Sequence, residues 1–136
     1  MDHDPLYSIE TYLYKIRLIS DISIRSIFEK KDIGVSTTTI FRIERHNNYN
    51  MQSLLNYAEI LGKYIIMEGT KVKTLADIGL IFKNKREQQK LTLLEAYSKS
   101  SVIPRSIINI ERGKNYSKNT FLAYMSIFKL KIEISE

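Results

Sequence analysis

Apolar residues recur at helical spacing through most of the chain, and the breaks between these runs divide it into short elements. From Ser8 to about Ser20, Ile9, Leu13 and Ile16 share one helical face, with Tyr12 and Ile19 less strictly aligned. Glu10 falls in the first turn, where the helix dipole favours it. Ser23 to Lys31 predicts a short second helix with Ile24, Ile27 and Phe28 facing inward, broken by Gly34. Ser36 is placed to cap a third helix, Thr37 to Arg45, whose buried face is Ile40 and Ile43. After the polar turn His46-Asn47-Asn48, Leu54, Leu55 and Ala58 predict a fourth helix over Met51 to Leu61, ended by Gly62. Tyr64 to Met67 is a short β-prone run, and Glu68-Gly69-Thr70 begins a linker.

The pattern then returns. Val35-(x4)-Ile40-(x2)-Ile43-Glu44-Arg45 reappears as Val102-(x4)-Ile107-(x2)-Ile110-Glu111-Arg112, a shift of 67 as from Ile43 to Ile110. The same shift lays Asn48-Tyr49 on Asn115-Tyr116, Leu55 on Leu122, Tyr57 on Tyr124 and Ile65 on Ile132. Upstream it lays Leu13 on Leu80 and Ile24 on Leu91 with no gap. A repeat that keeps its apolar register is a small folded unit used twice. Helices are therefore expected at about 74–85, 92–99, 104–112 and 118–129, with Pro104 in a first helical position, where its missing N–H costs nothing. Lys129 to Ser135 alternates polar and apolar residues, as a half-buried strand does. The expected architecture is all-α: two tandem units, 1–68 and 69–136, each of four to five short helices followed by a short β tail. The two tails are free to pair with each other or across a dimer.

Units of this size lie near the lower limit for independent folding, so each is expected to lean on the other or on a second chain. The absence of cysteine removes disulfides, thiol catalysis and cysteine-ligated zinc. No apolar run approaches the roughly 20 residues of a membrane span, and the acidic start lacks the pattern of a secretion signal. A cytoplasmic protein without a membrane partner is expected. The net charge of +6 is uneven: residues 1–67 balance, whereas residues 68–136 carry the whole excess. A basic half suits a polyanionic partner, most simply nucleic acid.

Within each unit the second helix, a tight turn and the third helix have helix-turn-helix spacing. Gly34-Val35-Ser36-x-x-x-Ile40-x-x-Ile43-Glu44-Arg45 resembles the signature of λ-repressor-like helix-turn-helix domains, the xenobiotic-response-element family. Arg86-(x4)-Leu91-Thr92, followed by Val102, Ile107 and Ile110-Glu111-Arg112-Gly113, is similar to the same signature. The resemblance implies a sequence-specific, double-stranded-DNA-binding regulator, expected to be a repressor, with recognition helices 37–45 and 104–112 in the major groove. It implies base-facing positions at Thr37, Thr38, Phe41 and Arg42 in the first unit. In the second it implies Pro104, Arg105, Ile108 and Asn109. Arg42 and Arg105 are the strongest base-reading candidates, because a guanidinium fork suits guanine. Phosphate contacts are expected from Ser26, at the head of helix two, and from Asn47, Asn48, Tyr49, Lys114, Asn115, Tyr116 and Lys118. The equivalent head position in the second unit is Leu93, where the family carries a polar side chain. The family's glutamate pairs inward with an arginine of the first helix, which implies a structural Arg86–Glu111 bridge; the first unit has Ile19 at that arginine position, leaving Glu44 to Arg17, Arg25 or solvent.

Little other chemistry is visible. Asp2-His3-Asp4 has ligand-type side chains on a terminus ill-suited to hold a metal, and His46 reads as a helix terminator. No nucleophile–base pairing, phosphate loop or carboxylate pair has a structural rationale, so no enzyme, metal or cofactor is expected. The competing reading takes Phe41, Leu93 and Ile108 as contacts for protein, in a dimer or an antitoxin-type partner of a toxin.

Overall fold

The computed structural model describes residues 4–29 and 35–135, without the side chains of Phe28 and Glu29, so the expectations resting on Asp2, His3, Phe28 and Gly34 fall outside it. Among the described residues the chain forms α1 (Tyr7–Ile19), α2 (Ile24–Glu29), α3 (Thr37–Glu44) and α4 (Met51–Ile60), then β1 (Ile65–Met67) and β2 (Thr70–Val72). There follow α5 (Leu75–Gln88), α6 (Leu93–Ser100), α7 (Pro104–Glu111), α8 (Lys118–Met125) and β3 (Ile132–Ile134). Several helix starts are fixed by polar side chains. Thr74 and Thr92 form reciprocal capping boxes with Asp77 and Glu95, and Ser36 and Ser117 accept from the N–H groups of Thr39 and Thr120.

The molecule is mainly helical, but the all-α expectation is amended by a three-stranded antiparallel sheet in the order β2-β1-β3. β1 and β3 are the expected tails, and they pair with each other. β2 departs from the sequence pattern, which predicts the beginning of a linker at Glu68-Gly69-Thr70. Glu68 and Gly69 both adopt positive φ, 50° and 75°, the turn geometry that matches strand twist in a two-residue hairpin. That turn folds residues 70–72 back on β1 and buries Val72 opposite Ile65.

The repeat holds in space with two registers rather than one. From α3 onward the shift of 67 matches buried residues: Ile40 with Ile107, Ile43 with Ile110, Tyr57 with Tyr124. In α1 and α5 the ungapped alignment fails, because Leu13 is fully buried while Leu80 is 58% exposed. A shift of 69 restores the match, setting Leu6 on Leu75, Ile9 on Ile78, Leu13 on Phe82 and Ile27 on Ala96, all buried. The first half is thus longer by two residues between Ile27 and Val35 than the second between Ala96 and Val102.

The two halves meet about an approximate two-fold axis. Met51 N–H donates to Tyr116 O at 2.8 Å and Lys118 N–H donates to Tyr49 O at 2.7 Å, with each pair the repeat image of the other. Gln52 N–H bonds Asn115 Oδ1 and Asn119 N–H bonds Asn48 Oδ1, again reciprocally. The register of β1 on β3 obeys the same axis, Ile65 facing Ile134 and Met67 facing Ile132. Reciprocity of this kind defines an isologous contact, here made inside one chain. The buried side chains of both halves form one cluster.

Candidate nucleic-acid interface

Helices α3 and α7 are held by the same three side chains in each half. Arg86 grips Glu111 with both arms of its guanidinium, Nε to Oε2 at 2.8 Å and Nη2 to Oε1 at 2.9 Å. Its third nitrogen donates to Leu91 O at 3.0 Å, and the Tyr124 hydroxyl donates to Glu111 at 3.0 Å. In the first half Arg17 does the same to Glu44, at 2.6 and 2.9 Å, and reaches Ile22 O at 3.1 Å. Tyr57 donates its hydroxyl to Glu44. The glutamate carboxylates hold both guanidiniums above their ordinary value, while burial pushes both tyrosines up. Ile19, aligned with Arg86 by the ungapped repeat, is 80% exposed instead. The shift of 69 puts Arg17 there, so the expected asymmetry between the glutamates disappears.

Past each helix the chain turns through the left-handed region at equivalent positions, His46 at φ 62° and Gly113 at φ 80°. In both, the next N–H reaches back to the helix, Asn47 to Arg42 O and Lys114 to Asn109 O. The surroundings differ. Gly113 lies so close to α5 that a Cβ there would meet Ala76 Cα at 2.8 Å, and one on Gly79 would meet Ile110 O at 2.5 Å. In the first half Tyr7, Glu10 and His46 take the places of Ala76, Gly79 and Gly113. The His46 ring stacks on Tyr7 at 3.8 Å, and its Nδ1 lies 2.8 Å from Glu10 Oε1.

The faces of α3 and α7 opposite Ile40, Ile43, Ile107 and Ile110 are open to solvent. Thr38, Phe41 and Arg42 are exposed and Thr37 half-buried; Arg105 is exposed, with Pro104, Ile108 and Asn109 half-buried. Phe41 is not packed away, being 43% exposed with the Arg45 guanidinium 5.1 Å over its ring. Arg45 and Arg112, which sequence reasoning passed over, cap the two helices and are exposed.

Three of the expected phosphate contacts, Tyr49, Tyr116 and Lys118, are corrected by burial. Lys118 is 3% exposed, its ammonium 2.7 Å from Glu10 and 3.5 Å from Asp4. Tyr49 is 4% exposed and donates its hydroxyl to Glu10. Asn48 and Asn115 each accept across the two-fold through Oδ1 while staying exposed, and the Tyr116 hydroxyl is buried. The contact between halves takes up Tyr49 and Lys118, which an isolated unit would offer to a phosphate. Asn47 and Lys114 remain exposed. Ser26 is not at the head of α2: Ser23 precedes it and accepts the Ser26 N–H, and their hydroxyls lie 2.8 Å apart. In the corrected register Leu93 matches Ile24, both half-buried.

Among the described residues no group of three or more His, Cys, Asp or Glu is placed to hold a metal ion, and no helix is long and apolar enough to cross a membrane. Comparison with known proteins returns no matching family model, curated protein or solved structure.

Proposed function

We propose that the chain is a sequence-specific, double-stranded-DNA-binding transcriptional regulator, a repressor at work in the cytoplasm. In this reading it is two tandem λ-repressor-like helix-turn-helix units, with α3 and α7 as recognition helices. The internal two-fold carries the reading: one chain holds two equivalently braced helices about an axis of the kind duplex DNA itself possesses. The exposed faces of those helices carry Thr38, Phe41 and Arg42 on one and Arg105 and Asn109 on the other. Because these sets differ, the operator is a composite of two unequal half-sites. Arg42 and Arg105 read guanine, Phe41 meets a thymine methyl, and Arg45, Asn47, Arg112 and Lys114 contact phosphates.

The test is binding of the purified protein to the DNA upstream of its own gene, against scrambled DNA, at about 150 mM salt. A preference of roughly a thousandfold or more is expected. A second reading is favoured by the exposure of Phe41, Ile103, Leu94 and Tyr97, an apolar set suited to a protein partner such as a toxin. Salt separates them: binding through several phosphates falls by orders of magnitude between about 50 and 200 mM, whereas an apolar contact barely changes. Absence of DNA binding would favour the partner reading.

A further inference from the structure

The end of α4 and the β1–β2 hairpin border a partly open pocket of about 250 Å3. Its floor is apolar, formed by the buried Leu55, Ala58 and Val72. Lys63, Lys71 and Lys73 line it against one acid, Glu59, so its charge balance is positive. The Tyr64 ring forms part of the wall, with the Lys71 ammonium 3.9 Å from its centroid.

The second half has a hollow at the equivalent place, about 400 Å3, bordered by Leu122, Met125, Ser126, Lys129 and Leu130. The repeat sets Met125 in place of Ala58 and Leu130 in place of Lys63, so the architecture supplies the hollow, while the small Ala58 floor and the Lys63 cation are particular to the first half. An enclosed apolar space of about 150 Å3 accommodates a benzene ring. The larger volume here has room for a ring and a short chain, and the lysines select the sign of the group that ends it.

We propose that this cavity binds a small amphiphilic monoanion of the aryl-alkanoate class. The ring lies on Leu55, Ala58 and Val72, and the carboxylate meets Lys71 and Lys73. The proposal stands independently of DNA binding.

The experiment titrates the full-length, 15N-labelled protein with 3-phenylpropionate, 3-phenylpropionamide and 3-phenylpropylamine, following amide shifts. The carboxylate is expected to bind with a Kd near or below about a millimolar, as suits about eleven heavy atoms. Its shifts should centre on Gly62, Tyr64 and Val72. The amide should bind at least about tenfold more weakly, and the amine not at all. Ala58→Met should weaken the carboxylate at least about tenfold, and Lys71→Gln with Lys73→Gln should do the same at exposed positions that leave folding intact. Lys99→Gln, on α6, should leave the affinity unchanged. Equal binding of acid and amide, shifts centred elsewhere, full affinity in the lysine double variant, or no binding of the acid would each overturn the proposal.

Discussion

The glutamates that end α3 and α7 are structural, and their value lies in what surrounds them. Glu111 keeps 7% of its side chain exposed and Arg86 14%, so the pair is largely removed from water while its bidentate geometry satisfies the guanidinium. Glu111→Gln is expected to cost about 3 kcal/mol, the lower end for a broken buried pair, read as a fall in urea midpoint at unchanged slope. Gly79 answers to a different constraint, since a Cβ there would lie 2.5 Å from the Ile110 carbonyl. Gly79→Ala is expected to destabilise by about 1–3 kcal/mol through overpacking. The capping carboxylates set part of the acid response. Backbone N–H groups of Lys73 and Thr92, foremost, hold Asp77 and Glu95 below their ordinary values of 3.8 and 4.5. Folded values below unfolded ones mean stability that is present above those ordinary values and lost as pH falls through the lowered ones. Asp77→Asn with Glu95→Gln should therefore lower Tm at pH 7 and close the gap to wild type below about pH 4.

Helices α3 and α7 are legible in the chain because an amphipathic stripe and a start signal declare themselves locally: Ser36, Ile40 and Ile43 suffice for α3, and Pro104, Ile107 and Ile110 for α7. Their outward faces follow from the same period, which places Arg42 and Arg105 in solvent. Arg42→Ala and Arg105→Ala are each expected to cost about 1–3 kcal/mol in specific DNA binding without moving Tm, measured by titration at fixed salt. Helix α1 was legible as a helix but not in its pairing to the repeat. Leu13 aligns with Leu80 by identity, yet the face that turns inward carries Phe82. The two extra residues between Ile27 and Val35 put an ungapped alignment of α1 on α5 two residues out of register, which turns the inferred face by about 200°, and residue matching alone does not see it. For that reason the sequence leaves Glu44 open among Arg17, Arg25 and solvent, and the fold selects Arg17.

The halves are joined by chemistry that is not symmetric. Glu10 is fully buried and receives Lys118 from the second half together with Tyr49 and His46 from its own. The repeat image of Lys118 is Met51 and that of Glu10 is Gly79, so pairing two first halves would leave Glu10 without its cation. The ion pair thus favours union of a first half with a second half, which the short hairpin supplies within one chain. Lys118→Met is expected to cost about 3–5 kcal/mol, because it leaves a buried carboxylate uncompensated. Adding Glu10→Gln should recover much of that loss. The coupling between the two changes, about 1–3 kcal/mol, is measurable by a double-mutant cycle in urea.

Local rules account for the helices, their caps, the β-prone tails and the twofold use of one pattern, since each depends on neighbours within a few residues. Contacts between sequence-distant residues account for the rest. Tyr49, Asn48, Asn115 and Lys118 are polar groups in polar turns, and nothing in their own segments distinguishes a phosphate ligand from an interface residue. The two-fold decides it by bringing Tyr49 beside Lys118 and burying both. β2 exists because β1 offers it a free edge, and Arg17 holds Glu44 because α1 is turned to present it. Periodicity encodes which face of an element is apolar; packing alone determines what that face, and the polar rim around it, will meet.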